Sequence, residues 1–176
     1  QATGFSSIKT ADRRRQGHQR AALCHAQMSQ GLALWQGKGV DHAFLMGRGI
    51  IAEAYRKLGL VAEGLEVVQE GLMKTEKTGE RADESRLYRL MGEFLLMQPE
   101  ADEKQAESCF QHALEISRHL GAKLPELQSA MSLCRLWQTQ GKKEEAKRLL
   151  SDIYGWFTEG FDTADLKDAK ALLEGV

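Results

Sequence analysis

Apolar residues in this chain return every three or four positions, and nowhere sustain an every-second-residue alternation. The first habit paints one face of an α-helix; the second would be needed for a half-buried strand. The pattern predicts a helix from somewhere between Ala11 and Arg20 to about Trp35. Three pairs follow, 41–57 with 60–77, 82–97 with 102–119 and 124–139 with 142–157, and then a last helix over 163–174. Pro125 fits the first turn of its helix, where a missing N–H costs nothing. Asp162 or Thr163 is placed to cap the last helix, ahead of Leu166, Ala169, Leu172 and Leu173.

A stripe of small and apolar residues recurs in fixed phase. Its members are Cys24, Met28 and Gly31, then Gly64, Val68 and Gly71, then Ala106, Phe110 and Ala113, then Ala146, Leu150 and Ile153, with steps of 40, 42 and 40 residues. Spacings of four and three keep each trio on one face of a helix, and small side chains there let a neighbouring helix approach closely. Glycines keep the same phase. Gly39, Gly79 and Gly121 fall just past helix ends, Gly160 falls one position short, and Gly59 and Gly141 mark the turns inside two of the pairs. In the remaining pair the turn is QPEAD, with Pro99.

Ile51, Ala52 and Tyr55, then Met91, Gly92 and Leu95, then Leu133, Cys134 and Trp137 occupy the first helices of the pairs in a constant pattern. Together with the small–aromatic–small trios of the second helices, they resemble the tetratricopeptide repeat, with a 40–42 residue period in place of the standard 34. That resemblance implies an all-α fold: a right-handed α-solenoid of antiparallel helix pairs with a C-terminal capping helix. The stretches AEAYRKLG, SRLYRLMGEFLL, CFQHALEISRHLGAK and YGWFTEGFDTADLKDAKALL are similar to the C-terminal repeat region of bacterial signalling ATPases fused to class III nucleotide cyclase or transcription-activator domains. The similarity covers roughly 20–176, so the chain divides into an arm or helix start over 1–19 and a solenoid domain over 20–176. It implies a cytoplasmic fragment of a larger protein, cut at the N-terminal edge of its solenoid.

The 176 residues carry 24 Lys and Arg against 25 Asp and Glu, and this balance argues against nucleic acid or an anionic membrane as partner. No segment approaches the ~20 apolar residues of a membrane-spanning helix. Three cysteines at unequal spacing imply no disulfide framework. The Gly-x-Gly pieces at Gly37–Gly39 and Gly47–Gly49 complete no phosphate-binding loop, and no nucleophile stands at a meaningful spacing from a base. Cys109 and His112 lack the second ligand pair that zinc requires. The reading is a non-enzyme without metal or cofactor. Arg13, Arg14 and Arg15 read as a solvated arm, and Trp137, Tyr154, Trp156, Phe157 and Phe161 as the seal on the last repeat.

In solenoids of this type the first helix of each pair lines the concave face. Carrying the phase across predicts a wall of Met46, Gly49, Glu53 and Arg56, then Arg86, Arg89, Glu93 and Leu96, then Gln128, Met131, Arg135 and Gln138. Arg and Met there suit forked carboxylate contacts and adaptable apolar ones. Arg86, Arg89 and Arg135 are expected to matter most, with the first two converging on one carboxylate, and Glu53 and Glu93 selecting a ligand of mixed charge. The absence of Asn excludes the Asn-dependent carboxylate clamp known for this repeat. The expected function is a protein–protein interaction or regulatory scaffold module that binds a protein, a peptide or another domain of its parent chain. The alternative is homo-oligomerisation, as a homodimer, through the N-terminal edge.

Overall fold

A computed structural model describes residues 41–79, 81 and 83–175, together with Gln19, Ala22, Leu23, Ala26, Gln27 and Gln30, which are helical. The stripe Cys24, Met28 and Gly31, the glycine at Gly39, the arginines 13–15 and nearly all of the 1–19 arm lie outside the described residues. So do the side chains of 41–46.

The described residues are all-helical: α1 (Asp41–Leu58), α2 (Val61–Thr78), α3 (Glu84–Leu96), α4 (Glu103–His119), α5 (Lys123–Thr139), α6 (Lys143–Tyr154) and α7 (Ala164–Glu174). Gly59, Gly79, Gly121, Gly141 and Gly160 all take positive φ, between 66° and 79°. This is the left-handed conformation that lets a helix stop and the chain turn back at once. Helix bounds differ from the sequence pattern by one or two residues at most ends and by three at the end of α6. α6 stops at Tyr154, short of Phe157. Asp102 caps α4, its carboxylate accepting from the Gln105 N–H. Thr163 opens α7, but its hydroxyl donates to the Gly160 carbonyl and caps nothing.

Neighbours in sequence are neighbours in space. Each helix packs on the next, and α1 on α3, α3 on α5 and α5 on α7; no comparably close backbone approach links α2 to α4 or α4 to α6. The stripe trios make this possible. Gly64, Val68, Gly71, Ala106, Phe110, Ala113, Ala146, Leu150 and Ile153 are all buried. A Cβ on Gly64 would stand 2.0 Å from the Phe94 ring, and one on Gly92 would stand 2.5 Å from Phe110. Bulky and missing side chains thus interlock across successive helices, as close packing requires.

Contacts fix the directions. Gly92 meets Ala106 and Phe110 while Ser85 bonds to the Ala113 carbonyl, so α3 and α4 run antiparallel. Arg118 reaches Glu126 while Trp137 reaches Glu107, so α4 and α5 do too. α3 and α5 are therefore parallel. α1 and α3 are parallel as well, because Gly49 abuts Arg86 whereas Arg56 meets Glu93. At the C-terminal end, α7 covers Leu127, Leu150 and Ile153 with Leu166, Ala169, Leu172 and Leu173, and turns Lys167, Lys170 and Glu174 outward.

Candidate functional site

The close approach of α1, α3, α5 and α7 leaves a groove of about 950 Å³ along their shared face. Of the residues that the repeat phase assigns to the concave wall, Gly49, Glu53, Arg56, Arg86, Arg89, Glu93, Leu96, Gln128, Met131 and Arg135 line it. Gln138 is half-buried but does not line the groove, which ends along α5 at Arg135. Met46 lies on α1, and its side chain is outside the described residues. The groove also holds Ile50, Ala54, Lys57, Met97, Phe110, Ser132, Asp165 and Asp168, which the wall pattern did not include. A signal for the two aspartates was available: continuing the phase of the first helices onto the closing helix places them on this face.

The floor is an ion-pair lattice between α1 and α3. Arg56 donates to Glu53 Oε1 from Nη2 at 2.6 Å and reaches Glu93 Oε2 with Nε at 2.9 Å. Arg89 donates to Glu93 Oε1 at 2.7 Å and stands 3.6 Å from Glu53 Oε2. Ser132 ties the lattice to α5, its hydroxyl donating to Glu93 Oε1 at 2.7 Å. Helical spacing places Glu53 beside Arg56 and Arg89 beside Glu93; the α1–α3 register then closes the square. Burial alone would push the Glu53 carboxyl up. The hydrogen bond from Arg56 and the charges of Arg56, Arg89 and Lys57 outweigh it and hold the carboxyl below its ordinary value. The Arg56 guanidinium is in turn held more firmly protonated, chiefly by its bond to Glu53.

The three arginines expected to act together are thus separated in role. Arg89 is 88 % buried within the lattice, its side chain only 12% exposed. Arg86 turns to Asp83, 3.3 Å away on its own chain segment, so it does not converge with Arg89 on a shared carboxylate. Arg135 is exposed and makes no ion pair among the described residues. On α7, Asp165 accepts from Gln128 at 2.9 Å, while Asp168 is exposed.

Other singled-out residues have structural partners. The His112 ring packs edge-on against Tyr88, with centroids 4.4 Å apart, and Cys109 is buried beside it, its thiol pushed up by desolvation. Cys134 is buried, and its thiol is raised to about 12 by desolvation. Trp137, Tyr154 and Phe157 pack on the terminal core, whereas Trp156 and Phe161 remain exposed. Among the described residues no helix is long and apolar enough to cross a membrane. No protein-family model matches the chain, and no curated protein matches its sequence.

Proposed function

We propose that this chain is a non-catalytic interaction module, a tetratricopeptide-type solenoid that holds an extended segment of a protein partner in the groove between α1, α3, α5 and α7. The groove carries the reading. It is large, lined by successive parallel helices, and floored by a lattice in which each glutamate is already ion-paired with arginine, so a ligand need not disturb it to bind. The helix pairing supports a solenoid: first helices approach one another and second helices do not, which bends a row of pairs around its first-helix face. The right hand of the superhelix follows from the resemblance to the repeat. So does the parent, a cytoplasmic bacterial signalling ATPase fused to a cyclase or activator domain, in which this module would couple partner binding to the machine. Homo-oligomerisation through the N-terminal edge involves residues outside the described part of the chain.

The test is an array of random-sequence dodecapeptides probed with the purified chain. Ala54→Trp and Met97→Trp, each filling the groove from a different helix, should abolish most of the binding while melting like the parent. Binding that survives both in folded protein would remove the groove as the docking site.

A further inference from the structure

Subtracting the charges that the fold consumes leaves an uneven groove. The lattice of two arginines and two glutamates on α1 and α3 is internally neutral, and Arg86 is engaged by Asp83. Lys57 and Arg135 are exposed and form no ion pair among the described residues. Because α1, α3 and α5 run parallel, Lys57 near the end of α1, Leu96 and Met97 at the end of α3, and Arg135 in the last turns of α5 lie toward one end of the groove. Leu96 is half-buried there and Met97 is 39 % exposed. Beyond α5, α7 adds the acidic side chains of Asp165 and Asp168 to the lining, with Asp165 held by Gln128 near the start of α5.

We infer that this end of the groove binds a peptide segment in which an acidic side chain stands beside an apolar one: the carboxylate on Arg135, with Lys57 adding attraction, and the apolar side chain on Leu96 and Met97. The inference rests on the groove reading and adds to it the chemistry of the ligand. A guanidinium with no ion-pair partner among the described residues offers a fork of donors that matches a carboxylate. Methionine and leucine beside it supply adaptable apolar area. Arg89, although central on the wall, contributes no selectivity, since a ligand carboxylate would have to displace Glu53 and Glu93 to reach it. A segment running from α1 toward α7 meets Leu96 and Met97 of α3 before Arg135 of α5, so it carries its apolar residue first, and Asp165 and Asp168 repel a carboxylate carried on to α7.

The same dodecapeptide array decides the matter through the composition of what binds. Bound peptides should be enriched in Glu or Asp adjacent to an apolar residue. The enrichment should vanish in Arg135→Gln and turn toward Lys and Arg in Arg135→Glu, while Lys147→Gln on the exposed side of α6 changes nothing. For the strongest binder, measured by fluorescence anisotropy, Arg135→Gln should weaken affinity by about tenfold, and raised salt should narrow that gap. Binding that is blocked by Ala54→Trp but shows no acidic enrichment, or an enrichment that persists in Arg135→Gln, would overturn the carboxylate inference and leave the groove standing. Binding indifferent to Ala54→Trp and Met97→Trp, or no binding by any peptide, would overturn both. A fall in melting temperature of Arg135→Gln with unchanged peptide selection would assign the arginine to stability alone.

Discussion

Glu53 is a carboxylate that the fold keeps charged despite half-burying it. Desolvation works against the ionised form, and Arg56, Arg89 and Lys57 together more than offset it. The sign of the resulting pH dependence follows. The folded carboxyl titrates below its unfolded value, so its contribution is complete above the unfolded value of about 4.3. It is lost as pH falls through the folded one. Glu53→Gln should therefore melt below the parent at pH 7, and the two curves should draw together as the pH is taken below 4. A gap that stays constant down to acid pH would mean that Glu53 acts through packing or hydrogen bonding rather than charge. The neighbouring Glu93 has Ser132 as an additional donor, so the lattice joins three helices and is not one isolated surface pair.

At the scale of the element, the stripe decides how closely helices meet. Ala106 and Ala146 are fully buried, the first against Gly92 of α3 and the second with its carbonyl 3.2 Å from Cys134 Sγ of α5. Enlarging either residue must push two helices apart or force neighbouring side chains off their rotamers. Ala106→Leu and Ala146→Leu are each expected to cost about 1–3 kcal/mol, whereas Ala164→Leu at the exposed start of α7 should cost little. Chemical denaturation of the three variants checks this. If the buried variants unfold at the parent's midpoint, the stripe is not the close-contact surface. Gly64 is the more severe case: the Phe94 ring occupies the space that any side chain would need.

For the whole molecule, the stacked arrangement has ends, and an end must be sealed. α7 covers an apolar face of α5 and α6 that would otherwise meet water, and presents charged residues on its outer side. Truncation after Gly160 would uncover Leu127 and Leu150, both fully buried in the intact chain. The shortened protein is expected to melt lower and less cooperatively and to bind the dye anilinonaphthalene sulfonate. An unchanged melt with no dye binding would show that α6 closes the stack without help. Trp156 and Phe161, exposed in the connection before α7, contribute little to this seal, although their aromatic neighbours Tyr154 and Phe157 do.

Helix positions, their turns and the buried stripe were legible in the sequence because each depends on local rules. A period of three to four fixes which residues share a face, and a glycine past a helix end permits the turn whatever lies beyond it. The wall of the groove was legible for a related reason: a constant repeat brings the same helix position to the same side each time, so Glu53, Arg89 and Met131 could be assigned to one face without coordinates. What each wall residue does there was decided only by the tertiary structure. Arg86, Arg89 and Arg135 are alike in chemistry and in phase. Which of them is consumed by a neighbouring carboxylate depends on the register between α1 and α3 and on the rotamers that this register permits. The fold draws Arg89 into the lattice, turns Arg86 to Asp83 and leaves Arg135 exposed.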